Sequence, residues 1–137
     1  MSEEIKNIIQ YITNKDLVSI KMKLKSNDKI HIVELDGTYI KSWEDYICEI
    51  QNRFKFPTSC LDSVDRYLDW MRDLEWLDKE EFVLIINHFN DFCNDNPKIK
   101  EEIISDYENV ILPFWQDEVK NVVVDGKAKH FLVYLVG

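Results

Sequence analysis

Two short, almost wholly apolar runs constrain the fold of this chain more than any other feature. Residues 82–87 read FVLIIN and residues 131–136 read FLVYLV, and charged residues precede each run. A run of this length without polar alternation is typical of a strand that is covered on both faces, as in a parallel sheet. The two runs therefore predict buried parallel strands with helices packed against them.

Helical patterns fill the intervals around these runs. They cover about residues 42–54, 63–74 and 98–111, and Ser42 has the side chain of a helix N-cap. A further strand is predicted at 29–35, KIHIVEL, which ends at the Asp36-Gly37 turn. Strands that alternate with helices imply parallel crossover connections, so the pattern predicts an α/β domain.

The first 28 residues carry a different pattern. Residues 3–14 place isoleucines at helical spacing, which predicts a short amphipathic helix. Residues 17–24, LVSIKMKL, alternate apolar and polar residues, which predicts a half-exposed strand. The polar turn at 26–28 would join this strand to 29–35 as a hairpin, so we expect an antiparallel edge strand. We divide the chain into an N-terminal extension, 1–28, packed on a domain, 29–137.

The charge balance of the chain favours a basic partner. The 137 residues suit one domain, and 26 acidic against 17 basic residues give a net charge of −9. This charge repels phosphate backbones, so direct nucleic-acid binding is not expected. The same charge would steer a basic protein towards the surface. A surface charge that serves only solubility is the alternative explanation.

Several classes of site and location have no support in the sequence. The three cysteines have no zinc-site spacing, and no glycine-rich phosphate loop is present, so no metal or cofactor is expected. The three histidines have no nucleophile motif beside them, so we do not expect an enzyme. We expect a cytoplasmic monomer that does not associate with membranes, because no signal-peptide pattern or apolar run of membrane-spanning length occurs.

Residues 61–77, LDSVDRYLDWMRDLEWL, contain four regularly spaced carboxylates. Asp62, Asp65, Asp69 and Asp73 follow one another at intervals of three, four and four residues, which predicts a column on one helix face opposite an apolar face. Like charges one turn apart repel one another, and aspartate is a mediocre helix former. The column therefore suggests a surface that binds cations. A solvated helix face is the alternative.

The same segment resembles the barstar family. Pro57, a short loop and residues 64–77, VDRYLDWMRDLEWL, follow the family's pattern of Pro, loop, then apolar-Asp-x-apolar-x-Asp-x-apolar, continuing to Asp-Leu-acid-Trp-Leu. The segment from Leu35 to Ile40 looks like the family's first strand and turn, and the two apolar runs match its later strands in position. The resemblance covers about residues 29–137. The loop departs from the family, since Leu61 stands in the place of a glycine and Ser63 in that of an asparagine.

The resemblance implies three parallel strands packed by helices, and an inhibitor whose acidic helix and preceding loop fill the active-site cleft of a basic, toxic ribonuclease. Asp69 matches the position where family members mimic a phosphate, and Asp65 matches the second acidic contact. A further acidic contact comes from a later helix in the family, for which Glu108 is our candidate. The alternative is an acidic interaction module that binds another basic protein. The expected supporting contacts are Asp62, Asp73, Ser63, Leu68 and Trp70.

Overall fold

A computed structural model describes residues 7–118 and 130–137, in which a central four-stranded sheet is packed by helices. The strand order is β1-β4-β3-β2, and all three neighbouring pairs are parallel. The expected α/β architecture with a parallel sheet is confirmed, with four strands in place of three. The strands are β1 (Ile9–Ile12), β2 (Ile30–Asp36), β3 (Glu81–Asn87) and β4 (His130–Val136).

Four α-helices connect the strands in the described ranges. The helix predicted at 42–54 and the strands predicted at 29–35, 82–87 and 131–136 are confirmed within one or two residues. The helix predicted at 98–111 is regular as far as Asp106 and continues as a wider π-helical turn over Tyr107–Ile111. The α-helices are α1 (Asn14–Leu24), α2 (Trp43–Arg53), α3 (Val64–Met71) and α4 (Pro97–Asp106).

The sheet is covered on both faces, which explains why the inner strands are apolar throughout. Helices α2, α3 and α4 pack on one face and bury most of the core. Helix α1 packs on the other face, where Leu17 covers Val83, Ile85 and Val136. Alternate residues of a strand point to opposite faces, so a strand buried on both sides has no polar positions.

The predictions for the N-terminal region were wrong in the part that the structure describes. Residues 9–12, predicted as helix, form β1, and residues 17–24, predicted as strand, lie in α1. Helix α1 is a crossover between β1 and β2, so the predicted hairpin does not form. Strand β1 pairs parallel to β4, and the sheet has no antiparallel edge among the residues that the structure describes. Residues 1–6, which include the start of the predicted helix, lie outside the described residues.

A capping box explains why α1 forms where alternation suggested a strand. The Thr13 hydroxyl accepts a hydrogen bond from the Asp16 amide, and the Asp16 carboxylate accepts one from the Thr13 amide. Leu17, Ile20 and Leu24 then fall on one helical face and pack against the sheet. The capping box was the signal in the sequence that identifies this helix.

Candidate protein-binding surface

Local hydrogen bonds set the start and the end of α3, the helix that carries the acidic residues. The Ser63 hydroxyl caps the first turn by accepting a hydrogen bond from the Arg66 amide at 3.1 Å. The helix ends at Met71, since the C-cap residue Arg72 departs from helical backbone geometry with φ −101° and ψ 10°, and Leu74 follows with a left-handed φ of 55°. The indole of Trp115 donates to the Met71 carbonyl at 2.9 Å and holds this end of the helix.

The predicted column of four carboxylates on a single helix is wrong, because α3 is only eight residues long. Asp65 and Asp69 are exposed on the helix, about 6 Å apart along its axis. Asp62 precedes the N-cap, and Asp73 follows the helix and accepts a hydrogen bond from the Glu75 amide. The structure thus brings Asp65 and Asp69 together on one helix face and leaves Asp62 and Asp73 beyond its ends.

The opposite face of α3 is fixed by three fully buried tyrosines. The hydroxyl of Tyr46, on α2, is 2.6 Å from the hydroxyl of Tyr67, on α3, and 2.6 Å from that of Tyr107, which follows α4. Burial raises the pKa of all three phenols, that of Tyr107 to about 12, so they stay neutral in ordinary buffers. The network joins α3 to both neighbouring helical segments, which fixes the direction of its acidic face.

Arg72, one turn further along the chain, forms an ion pair with the Asp69 carboxylate. Arg72 Nη2 lies 2.9 Å from Asp69 Oδ1, while Arg72 Nε donates to the Leu68 carbonyl at 3.1 Å. Asp69 nevertheless remains 71% exposed. The pairing therefore orients the carboxylate and leaves it open to a partner, and it contributes at most about 1 kcal/mol to stability because the pair is exposed.

Three contacts hold the loop at 58–62 against the helices. Thr58 Oγ1 accepts a hydrogen bond from the Trp70 indole at 3.0 Å, and the Ser59 carbonyl accepts one from Arg66 Nη1 at 2.9 Å. The amide of Cys60 donates to Gln51 Oε1 at 2.9 Å, and Cys60 itself is fully buried, which raises the pKa of its thiol. Sequence reasoning missed Gln51 and Arg66 as loop-holding residues.

The departures from the family's loop cause no visible strain. Within the described loop 58–63, no residue has a positive φ, so the backbone at Leu61 does not require glycine. Ser63 still provides a helix cap. Leu68 is half-buried against the core, and Trp70 uses its indole N–H within the molecule. Whether these residues also contact a partner stays a prediction.

A small cleft lies between α4 and the start of α3. Its volume is about 120 Å³, and Asp106 and Glu102 stand beside Val64 there. Glu108, the candidate named from the sequence, instead faces cavities that include Ile8 and Tyr11 on the β1 side. The acids of the later helix that the structure brings towards α3 are therefore Asp106 and Glu102. The cleft is lined by Trp43, Val64, Ile99, Glu102, Ile103 and Asp106.

Partial burial, with a smaller contribution from Glu102, raises the pKa of the Asp106 carboxyl. A raised pKa in the folded state means that the folded protein binds this proton more tightly than the unfolded chain does. The stabilisation that the bound proton provides is present at low pH and is lost as the pH rises through the folded-state pKa. Asp106→Asn is therefore expected to increase the free energy of unfolding at neutral pH and to have less effect near pH 3. Urea unfolding between about pH 3 and pH 8 measures this difference.

The matched control for Asp106→Asn is Asp95→Asn, at an exposed position. It removes the same charge without relieving a burial cost, so its effect should be small throughout the same pH range. An Asp106→Asn variant whose stability differs from wild type by a constant amount at every pH would contradict the assignment.

The histidines have structural partners in the described ranges. His31 Nε2 lies 2.9 Å from the Arg53 carbonyl, and burial is the main cause of the lowered pKa of His31. His88 contacts Asp36 at 2.8 Å, and His130 contacts Glu81 at 2.7 Å. In residues 7–118 and 130–137, no group of three or more His, Cys, Asp or Glu side chains is arranged to hold a metal ion. None of the helices in these ranges combines the length and apolarity needed to cross a bilayer.

Fold and surface together define an α/β protein that presents carboxylates from a short, firmly held helix. A model of the family described as barstar (barnase inhibitor) matches residues 30–125, and the chain belongs to the barstar family. This is a family of ribonuclease inhibitors. Searches of curated proteins and of solved structures found no match.

Proposed function

We propose that this protein inhibits a basic ribonuclease by placing Asp65 and Asp69 in the enzyme's active-site cleft. The observation that carries the proposal is the arrangement of α3: two exposed carboxylates lie one turn apart on a helix whose other face is tied to the core by Tyr67. A rigid helix of this kind loses little conformational freedom on binding, so more of the contact energy appears as affinity.

The chemistry of the two carboxylates suits a site that binds phosphates. An RNA-cleaving enzyme that holds phosphate groups needs cations in its cleft, and arginine pairs with a carboxylate through two parallel hydrogen bonds as readily as with a phosphate. The acidic surface as a whole would also attract such an enzyme over a distance. On this proposal Asp69 takes the place of a phosphate and Asp65 forms the second contact, while Ser63, Leu68, Trp70, Asp62 and Asp73 support them.

We propose Asp106 as the acidic contact from the later helix, with Glu102 beside it. Both face Val64 across the cleft, on the same side of the molecule as the start of α3. The burial that raises the pKa of Asp106 is a cost to the folded protein. Side chains that are kept at such a cost are often functional.

The proposed role is binding and not catalysis. Asp65 and Asp69 are both exposed on the helix surface, where they are open to the cations of a partner. We further propose that the protein acts as a monomer in the cytoplasm, where an inhibitor of a toxic ribonuclease would protect the cell. We also propose that residues 1–28 form an N-terminal extension packed on a barstar-like domain, residues 29–137.

The test is titration of the protein into a panel of small basic ribonucleases, with RNA cleavage as the measurement. We expect stoichiometric inhibition of at least one enzyme, and loss of that inhibition in the double variant Asp65→Ala/Asp69→Ala. Circular dichroism would establish that the double variant is folded. Failure to inhibit any enzyme of the panel would reject ribonuclease inhibition and favour an acidic module with another basic partner.

A further inference from the structure

The surface around the start of α3 is partly apolar. Leu61 and Val64 are large hydrophobic side chains with 44% and 47% of their surface exposed. Val64 also lines the cleft of about 120 Å³ together with Trp43 and Ile99. We call these four residues, Leu61, Val64, Trp43 and Ile99, the apolar strip.

Carboxylates adjoin the apolar strip both along the chain and in the cleft. Asp62 and Asp65 are the sequence neighbours of Leu61 and Val64, and Glu102 and Asp106 lie across the cleft. A partner whose cations pair with both groups of carboxylates would lie against the residues of the strip, because Val64 adjoins Asp65 in the chain and lines the cleft with Glu102 and Asp106. Water trapped there would be displaced, which favours an apolar group of the partner at this position.

The part of the strip between Leu61 and Val64 is held rigidly at both of its ends. Cys60, directly before Leu61, is fully buried, and its amide is bonded to Gln51. Val64 is the first residue of α3 and follows the Ser63 cap. Since Arg66 also bonds the Ser59 carbonyl, the loop needs little ordering when a partner binds.

We infer that the apolar strip receives an apolar side chain of the ribonuclease, located between two groups of cations in that enzyme. The inference rests on the proposed function and adds a requirement on the partner: a basic cleft alone is not sufficient. The small volume of the cleft admits one side chain. The strip thus selects among basic ribonucleases that the carboxylates alone would bind alike.

The carboxylates and the strip make different contributions to binding kinetics. Charges act over long distances and set the association rate, whereas short-range apolar contacts act only in the formed complex and set the dissociation rate. Removing the apolar character of the strip without changing its charge is therefore expected to accelerate dissociation about ten-fold. The association rate should remain unchanged.

The experiment compares two neutral double variants by surface plasmon resonance against a ribonuclease that the wild type inhibits. Leu61→Asn/Val64→Thr makes the two exposed residues of the strip polar at nearly constant size. Val18→Thr/Met22→Gln makes the matched change at two exposed positions of α1, which are 60% and 72% exposed. We expect faster dissociation for the first variant only, with both variants as stable as the wild type in urea.

The outcomes separate failure of the strip from failure of the proposed function. Equal dissociation rates for wild type and Leu61→Asn/Val64→Thr, in a complex that Asp69→Ala weakens, would overturn the apolar strip and leave ribonuclease inhibition intact. Equal acceleration by both double variants would also overturn it, because the effect would not belong to this surface. Absence of binding by the wild type to every ribonuclease tested would reject the proposed function and the strip with it.

Discussion

Replacing Asp69 with alanine is expected to weaken the complex with the target ribonuclease more than about ten-fold and to leave the protein folded. A hydrogen bond to a charged group contributes about 1.5–3 kcal/mol, which corresponds to a factor of ten or more in affinity. The variant also leaves Arg72 without its carboxylate, 2.9 Å away in the wild type, so a cation would then face the cations of the partner. Titration calorimetry measures the change.

The stability of Asp69→Ala should differ little from wild type. Asp69 is mostly exposed, its ion pair with Arg72 is a surface pair, and alanine favours a helix more than aspartate does. The matched control is Glu101→Ala, which removes one negative charge from an exposed position of α4 that faces Tyr11 and Phe89. An affinity loss of the same size in Glu101→Ala would mean that net charge matters and not the position of Asp69.

The association rate offers a second measure of the same site. If the acidic surface steers the ribonuclease, association of the wild type should slow as salt is added, because charges further apart than about 10 Å are screened at 0.1 M. An association rate that does not respond to salt would count against steering. Asp69→Ala should show a weaker salt dependence than wild type.

Replacing Gly37 with alanine is expected to destabilise the fold by about 3 kcal/mol. A Cβ atom at this position would lie 2.4 Å from the His88 carbonyl oxygen, 2.9 Å from the Asn87 carbonyl oxygen and 3.0 Å from Phe92 Cβ. Two of these neighbours are backbone atoms at the end of β3, so they cannot move without disturbing the sheet. Urea unfolding should show a lower midpoint with an unchanged slope.

The cost at Gly37 is one of space and not of conformation, since its φ lies outside the left-handed region. Gly137→Ala is the matched control, because a Cβ there would meet only the Asn90 side chain, at 3.6 Å. That variant should unfold at nearly the wild-type midpoint. Equal midpoints for the two variants would show that the segment after β3 can withdraw from β2 at little cost.

A shift of the backbone at Gly37 would also displace residues that pack against α3, the helix of the proposed binding surface. The ring of Phe92 packs edge-on against that of Tyr46, with centroids 6.0 Å apart, and the Tyr46 hydroxyl is bonded to Tyr67 on α3. The Asp36-Gly37 turn was read from the sequence as the end of a strand. Its close approach to the chain after β3 was visible only in the structure.

Much of the fold could be predicted because β3 and β4 are covered on both faces. Such strands tolerate few polar residues, so FVLIIN and FLVYLV are recognisable without any alignment. Helix α2 was equally clear, because Ser42 caps it and its buried residues recur at helical spacing. Asp65 and Asp69, which are four residues apart, were predicted to share one face of a helix, and both lie on the exposed face of α3.

The N-terminal region could not be assigned in this way because its elements are short and ambiguous. Four residues, IQYI, are too few to distinguish a strand from part of a helix. They form a strand because they pair with β4, including Val133 and Leu135. In α1, apolar residues at 18, 20, 22 and 24 imitate strand alternation, although only Ile20 and Leu24 of these pack against the sheet.

The sequence by itself determined the class of fold through the order of its apolar runs and helical patterns, the two carboxylates through their spacing in one helix, and the family through the resemblance of that segment to the barstar pattern. Tertiary structure fixed the end of α3, where the indole of Trp115 donates to the Met71 carbonyl. It also decided that Asp106, and not Glu108, faces α3. These features depend on contacts between residues far apart in the chain, which spacing along the sequence does not encode.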